Sequence, residues 1–465
     1  MLRGYGRAAN NVGRVLMKRR TLGLASAGMA LSAPALAQGG PIEIQFWHGL
    51  AQPLGGLLEA ISAEFNQKQQ RFRIVPSFRG GYPETMVAAI AAFRAGTAPH
   101  IVQMFEVGTG TMMAAGRAIK PVHELLSETG VSIDFDDYLP AVKGYYSLSD
   151  GRMMGMPFNS STAIMFYNKD AFRRAGLNPD VAPATWAELR EAALKLKASG
   201  HQMPFTSAWP TWCQIEQFSA IHNMPLASLD NGFGGLGTQL QINNPRMTQQ
   251  LAMLMEMGRE GGFRWGGRDS AGDGVFASGQ AAIVHASSGA RARFLREVPG
   301  GAANVGAAML PYHPDVQGAP YNSIIGGAAF WAMNRGPNAR RSADENRGIA
   351  EFFAHLASTD VAAKWHTDTG FLPVTKKAFE QVRASGFYTQ NPGADIPIQQ
   401  LLRGGGQMTG NTRGIRLGGF VEIRVIMQEE MERALQGQQT AEAALNNTVT
   451  RGNVVLRNFE RANRG

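Results

Sequence analysis

With 465 residues, 44% of them hydrophobic and 17% charged, the chain has enough apolar surface for a large core and enough length for two to three average domains, which excludes a small scaffold. The formal charge of +9 raises the question of a nucleic-acid or membrane-surface partner, yet Arg3, Arg7, Arg14, Lys18, Arg19 and Arg20 all precede the first acidic residue. The remaining body is nearly balanced and leaves no electrostatic footprint for nucleic acid. A single cysteine, Cys213, excludes an internal disulfide, so the fold has to rest on its core.

Residues 1–37 read as an export signal. A basic region, Met17-Lys18-Arg19-Arg20, precedes an apolar stretch from Thr21 to Leu36 and the small-x-small site Ala35-Leu36-Ala37, with cleavage expected after Ala37. The apolar stretch is too short for a spanning helix. Residues 1–16 read as an upstream extension, with Met17 as the alternative start. The Arg19-Arg20 pair leaves both the general and the twin-arginine export routes open. Beyond the signal no apolar run reaches membrane length and no cysteine follows the cleavage site, so a soluble protein free in the periplasm is expected.

The body opens with an alternating strand over 42–46, a helix over 54–65, a strand over 72–78 and a second helix. That helix is punctuated by Pro83, Glu84 and Gly96 and carries Val87, Ile90 and Phe93 on one face. A third strand follows over 101–105, and this alternation predicts an α/β lobe with a largely parallel sheet. The pattern restarts after Pro157 with a strand over 163–167. Thr185-Trp186-Ala187-Glu188 is a capping box opening a helix with Trp186, Leu189, Ala193 and Leu196 inward, closed by Gly200. Further strands are expected over 281–284, 303–309 and 328–333, and helices over 346–358, 361–366, 421–435 and 441–459.

Enzyme signatures are missing: the sequence has no G-x-S-x-G elbow, no P-loop, no H-E-x-x-H, and no i, i+4 pair among its nine histidines. Gly108-Thr109-Gly110 begins like a dinucleotide loop, but Met113 stands where the third glycine belongs. What remains are binding-type residues where loops leave strands: Gly80-Gly81-Tyr82, Glu106, Asn159 to Thr162 and Ala286 to Gly289. In open α/β sheets ligands sit at such strand ends. Hydroxyls, glycine N–H groups and an arginine are the donors that an anionic, hydroxylated ligand needs. Each residue also has a plain reading, as turn chemistry for Ser and Gly, core packing for Trp209 and Trp212, and a surface position for Arg424.

Read together, these stretches resemble the periplasmic sn-glycerol-3-phosphate-binding proteins, a branch of the extracellular solute-binding family that includes maltose-binding protein. The resemblance rests on QFWH at 45–48, AAFRAGTAPHIVQMFEVGTGTMM at 91–113, PFNSST at 157–162, YNKDAFRRAGL at 167–177 and ASSG at 286–289. IIGG at 324–327, TGFLPVTKKAF at 369–379, GFYTQNPGAD at 386–395 and RLGGFVEIRVI at 416–426 complete it. It implies an α/β, two-lobed fold of the type II kind, lobes joined by a multi-segment hinge, and the ligand in the cleft between them. The lobes are expected over 38–157 with about 306–367, and over 158–305 with about 368–465.

The resemblance further implies a monomeric ABC-importer component, without enzyme activity, cofactor or metal. It would deliver sn-glycerol 3-phosphate or a glycerophosphodiester to two permease subunits and an ATPase dimer. An oligosaccharide receptor of the same superfamily and a periplasmic phosphodiesterase are the alternatives. Tyr82, Glu106, Ser161, Ser287, Gly327 and Arg424 match the family's ligand-contacting positions, with Trp209 and Trp212 lining the same cleft. Arg424 is expected to hold the phosphate in a bidentate contact and Glu106 to accept from glycerol hydroxyls. Phe371 stands where the family pattern, TGYLP, has tyrosine.

Overall fold

Two separate sheets organise the chain in the computed structural model, which describes residues 40–463. The export signal expected over residues 1–37, with its cleavage point, lies outside the described residues. In the first sheet β1 (Ile42–His48) lies parallel to both β2 (Phe72–Phe78) and β3 (Ile101–Phe105). All five residues of β3 are buried, as expected of a strand covered on both faces. The expectation of a largely parallel sheet is then corrected. β10 (Gly326–Met333) runs antiparallel beside β3, and it also pairs antiparallel with β4 (Ile119–Lys120) and β5 (Met156–Ser161). The sheet is mixed because its central strand returns from a distant part of the chain, a long-range pairing that local alternation does not encode.

The second sheet has the order β7-β8-β6-β9, with β6 (Ala163–Asn168), β7 (Met203–Ser207), β8 (Ala281–Ser287) and β9 (Val305–Ala308). β9 pairs with β6, so the chain returns to the first sheet between Ala308 and Gly326. The segment 159–161, read above as a loop, is part of β5 and runs through Thr162 directly into β6. The helix Tyr82–Arg94 buries Thr85, Met86, Ala89 and Ala92, while Val87 and Ile90 are exposed, so its inward stripe is offset from the Val87-Ile90-Phe93 face. The capping box of the helix Trp186–Ala198 is present in both halves, and Trp186, Leu189, Ala193 and Leu196 face inward.

Buried polar side chains tie the crossovers together. The Thr162 hydroxyl lies 2.8 Å from Ser323 Oγ and 2.9 Å from the Ile324 carbonyl. Gln217 clamps both backbone groups of Ile324, donating from Nε2 at 2.9 Å and accepting at Oε1 at 3.1 Å. Gln400 donates to the Ala163 carbonyl at 2.7 Å, and the Leu372 N–H donates to the Ser160 carbonyl at 2.8 Å. Backbone groups at and beside the crossovers are thus satisfied by side chains and by the Leu372 N–H as well as by the ladders.

Candidate functional site

One cleft of about 290 Å³ brings together residues from both sheets and from the C-terminal helices. All nine positions singled out in the sequence line it: Tyr82, Glu106, Ser161, Trp209, Trp212, Ser287, Gly327, Phe371 and Arg424. Tyr82 opens the helix after β2 and Glu106 follows the end of β3. Ser161 ends β5, Ser287 ends β8, and Gly327 lies near the start of β10.

On the first-sheet side a chain of amides sets the direction of a hydroxyl. The Gly49 N–H donates to Gln103 Oε1 at 2.8 Å, Gln103 Nε2 donates to Asn159 Oδ1 at 2.9 Å, and Asn159 Nδ2 donates to the Tyr82 oxygen at 2.9 Å. A backbone N–H has only a proton to give, so each amide is forced to accept from one neighbour and donate to the next. The Tyr82 oxygen is thereby an acceptor from the protein, and its own proton is left for the cleft. The ring is fixed by stacking on Phe105 at a centroid distance of 5.5 Å, and burial raises the phenol well above its ordinary range, so it remains a donor. Gly327 has φ +85°, and a Cβ there would stand 1.9 Å from the Asn159 carbonyl oxygen; only glycine fits.

Arg424, on the helix Phe420–Leu435, is buried, and its charge is already engaged. Nε donates to Glu216 Oε1 at 2.6 Å and Nη2 to Glu216 Oε2 at 2.7 Å, while Nη2 also donates to Glu106 Oε1 at 2.6 Å. This corrects the expected bidentate grip on a phosphate: the fork belongs to Glu216, and only Nη1 makes no hydrogen bond among the described residues. Burial opposes the charged guanidinium, but the two carboxylates more than offset it and hold Arg424 above its ordinary range. Burial likewise raises the Glu106 carboxyl, with Arg424 opposing that rise. Glu216 was not found by sequence reasoning. Its signal was a lone carboxylate in the otherwise uncharged run Trp209 to Phe218, where a buried charge demands a partner.

On the second-sheet side Trp209 holds φ +46°, a left-handed conformation unusual for a bulky side chain. Its N–H donates to the Asp269 carbonyl at 2.6 Å, and its ring faces Tyr82 with 6.4 Å between centroids. Trp212 lies against Gly326, where a Cβ would meet its ring at 2.3 Å. Ser287 Oγ accepts from the Gly289 N–H at 3.2 Å. Phe371 is stacked on Trp365, 5.8 Å between centroids, and its ring also covers Gly289, where a Cβ would lie 2.7 Å from Cζ. His366, held neutral by burial with its pKa down to about 4, has Nδ1 2.6 Å from the Phe371 carbonyl oxygen and anchors that backbone. Asp273 and Arg293 also line the cleft, and sequence reasoning singled out neither.

The geometry is that of a two-lobed α/β fold in which both sheets contribute residues to one cleft. Residues 60–395 match the family described as bacterial extracellular solute-binding protein, and the chain belongs to that family. It is 42% identical over 437 residues to the sn-glycerol-3-phosphate-binding periplasmic protein UgpB of Yersinia pseudotuberculosis, covering 94% of this chain and 96% of that one. The protein of the same description from Escherichia coli O6:K15:H31 is 42% identical over 96% of this chain and 98% of its own length. Among solved structures, UgpB from Mycobacterium tuberculosis in complex with glycerophosphocholine superposes with a TM-score of 0.70 at 21% identity, over 90% of this chain and 99% of that one. The GacH receptor of Streptomyces glaucescens superposes with the same TM-score at 16% identity, over 90% of this chain and 99% of that one. These two structural likenesses speak for the fold.

Proposed function

We propose that this chain is the solute-binding component of an ABC importer, capturing sn-glycerol 3-phosphate and glycerophosphodiesters in the periplasm after removal of residues 1–37. In this reading it passes them, as a monomer, to two permease subunits driven by an ATPase dimer. The observation that carries the reading is the convergence of all nine sequence-nominated residues on one cleft between the two sheets. The names of the curated relatives agree with it. In this reading the lobes are residues 38–157 with about 306–367 and 158–305 with about 368–465, and the pairing of β9 with β6 supports counting β9 with the second lobe.

The directed Tyr82 hydroxyl, the Ser161 and Ser287 hydroxyls, the Gly327 backbone and Arg424 Nη1 supply donors to phosphate oxygens. Glu106 accepts from glycerol hydroxyls, and the Trp209 face covers the carbon backbone. Closure of the lobes around the ligand then selects the form that engages the permease. A thermal-shift panel with glycerol 3-phosphate, glycerophosphocholine and maltose, run beside a phosphate-release assay, tests this. Stabilisation by the first two ligands without phosphate release is expected. Stabilisation by maltose alone, or release of phosphate from either ester, would overturn it. Mass spectrometry of the periplasmic protein is expected to find a chain beginning at Gln38.

A further inference from the structure

Asp273 is a carboxylate that the reading above does not use. It is 8% exposed, lines the cleft, and among the described residues accepts no hydrogen bond and forms no ion pair, with Oδ1 fully shielded. Its position is built. Gly272 lets the helix Ala271–Ala277 seat on the turn after β7, since a Cβ there would lie 2.6 Å from the Ser207 carbonyl oxygen. Trp209 packs into the same apolar cluster as Val275 and Phe276 of that helix, and its indole lines the same cleft as the Asp273 carboxylate. Arg293 is the cation whose field reaches Asp273, and it is paired instead with Glu297, Nε to Oε2 at 2.7 Å. Left unpaired, the Asp273 carboxyl is pushed by burial up to about 7.

An unpaired buried carboxylate is costly, and it makes sense in a binding cleft when the ligand brings its partner. The charges nearby say which partner. Arg424 is already shared between Glu106 and Glu216 and Arg293 is paired with Glu297, so neither arginine of the cleft is left to pair with Asp273, and a cationic group of the ligand is the partner that fits. An indole beside a carboxylate is also the pairing that holds an ammonium group. We propose that Asp273, with Trp209 as its aromatic wall, forms a subsite for the cationic alcohol substituent of a glycerophosphodiester, of the ethanolamine or choline type. The inference rests on the glycerophosphodiester reading above and assigns the second half of that ligand.

Calorimetric titration of the purified mature protein with glycerol 3-phosphate, glycerophosphoglycerol, glycerophosphoethanolamine and glycerophosphocholine tests it without any variant. The two cationic diesters are expected to bind about tenfold or more tightly than the uncharged-substituent diester, a ratio within the reach of one charge-assisted contact. Asp273→Asn keeps the shape and removes the charge, and it is expected to erase that ratio while leaving glycerol 3-phosphate unchanged or tighter. A loss confined to glycerophosphoethanolamine assigns the contact to N–H donation, and a loss shared with glycerophosphocholine assigns it to charge. Equal affinities for charged and uncharged diesters in the wild type, or an equal change for all four ligands in Asp273→Asn, would overturn the subsite alone. Failure of all four to bind the wild type would overturn the underlying reading as well.

Discussion

The two walls of the cleft differ in how far their polar atoms are spoken for. On the first-sheet wall, Tyr82 accepts from Asn159, Glu106 accepts from Arg424, and Gly327 is locked against the Asn159 backbone. On the second-sheet wall, Trp212 Nε1 and Asp273 Oδ1 are buried without a partner. At Tyr82, Glu106 and Gly327 the first wall is therefore set before any ligand arrives, and these positions cost little reorganisation on binding. The second wall carries groups that gain only when a ligand meets them. A cleft built this way holds the part common to all its ligands on the first wall and discriminates on the second.

The largest effect is expected where the lobes share a charge. Arg424→Met strands Glu216 and Glu106, both buried, and should cost about 3–5 kcal/mol of unfolding free energy in urea titrations. Adding Glu216→Gln should restore part of that loss, because the two positions are coupled. An unchanged urea midpoint in Arg424→Met would show that the ion cluster is not formed in solution. Loss of Arg424 is thus expected to affect the fold as well as ligand binding.

Asp273 sharpens the comparison through pH. Its carboxyl is raised from 3.8 to about 7, so the folded state binds the proton more tightly than the unfolded state. The resulting contribution favours folding fully below about pH 4, diminishes as pH rises, and is lost once pH passes about 7. Asp273→Asn does not titrate. The melting temperature of the variant relative to wild type should therefore climb by several degrees between pH 4.5 and pH 7.5 in ligand-free protein. A constant difference would mean that the carboxylate has a partner in solution.

Phe371→Tyr should give the smallest change. The added hydroxyl extends from a ring that lines the cleft and covers Gly289, and a donor to a charged phosphate oxygen tightens binding by up to about tenfold, less where water already serves. Unchanged dissociation constants for both glycerol 3-phosphate and glycerophosphocholine would place Phe371 in the hinge packing alone, with Trp365.

Most of the first wall was legible in the sequence, because its residues sit at strand ends that alternation and turn residues mark. The strand Phe72–Phe78 and the strand Ile101–Phe105 fall where the pattern put them. What periodicity does not report is pairing at a distance. The antiparallel insertion of β10, the reassignment of 159–161 from loop to β5, and the Glu216 claim on Arg424 each join residues more than a hundred positions apart. Asp273 left no signal, since an acid among glycines in Ala271-Gly272-Asp273-Gly274 reads as a solvated turn until Gly272 is seen pressed against Ser207.

The division of labour between the walls is tested most directly by calorimetric titration of Asn159→Asp with glycerol 3-phosphate and with glycerophosphoethanolamine. The substitution keeps the acceptor for Gln103 Nε2 and replaces the donor to Tyr82 with an acceptor, so the phenol proton turns from the cleft to the introduced carboxylate. Loss of that donor is expected to weaken both ligands by the same factor, about tenfold or more, because the first wall reads the part they share. Weakening of one ligand without the other, or no weakening of either, would contradict the account.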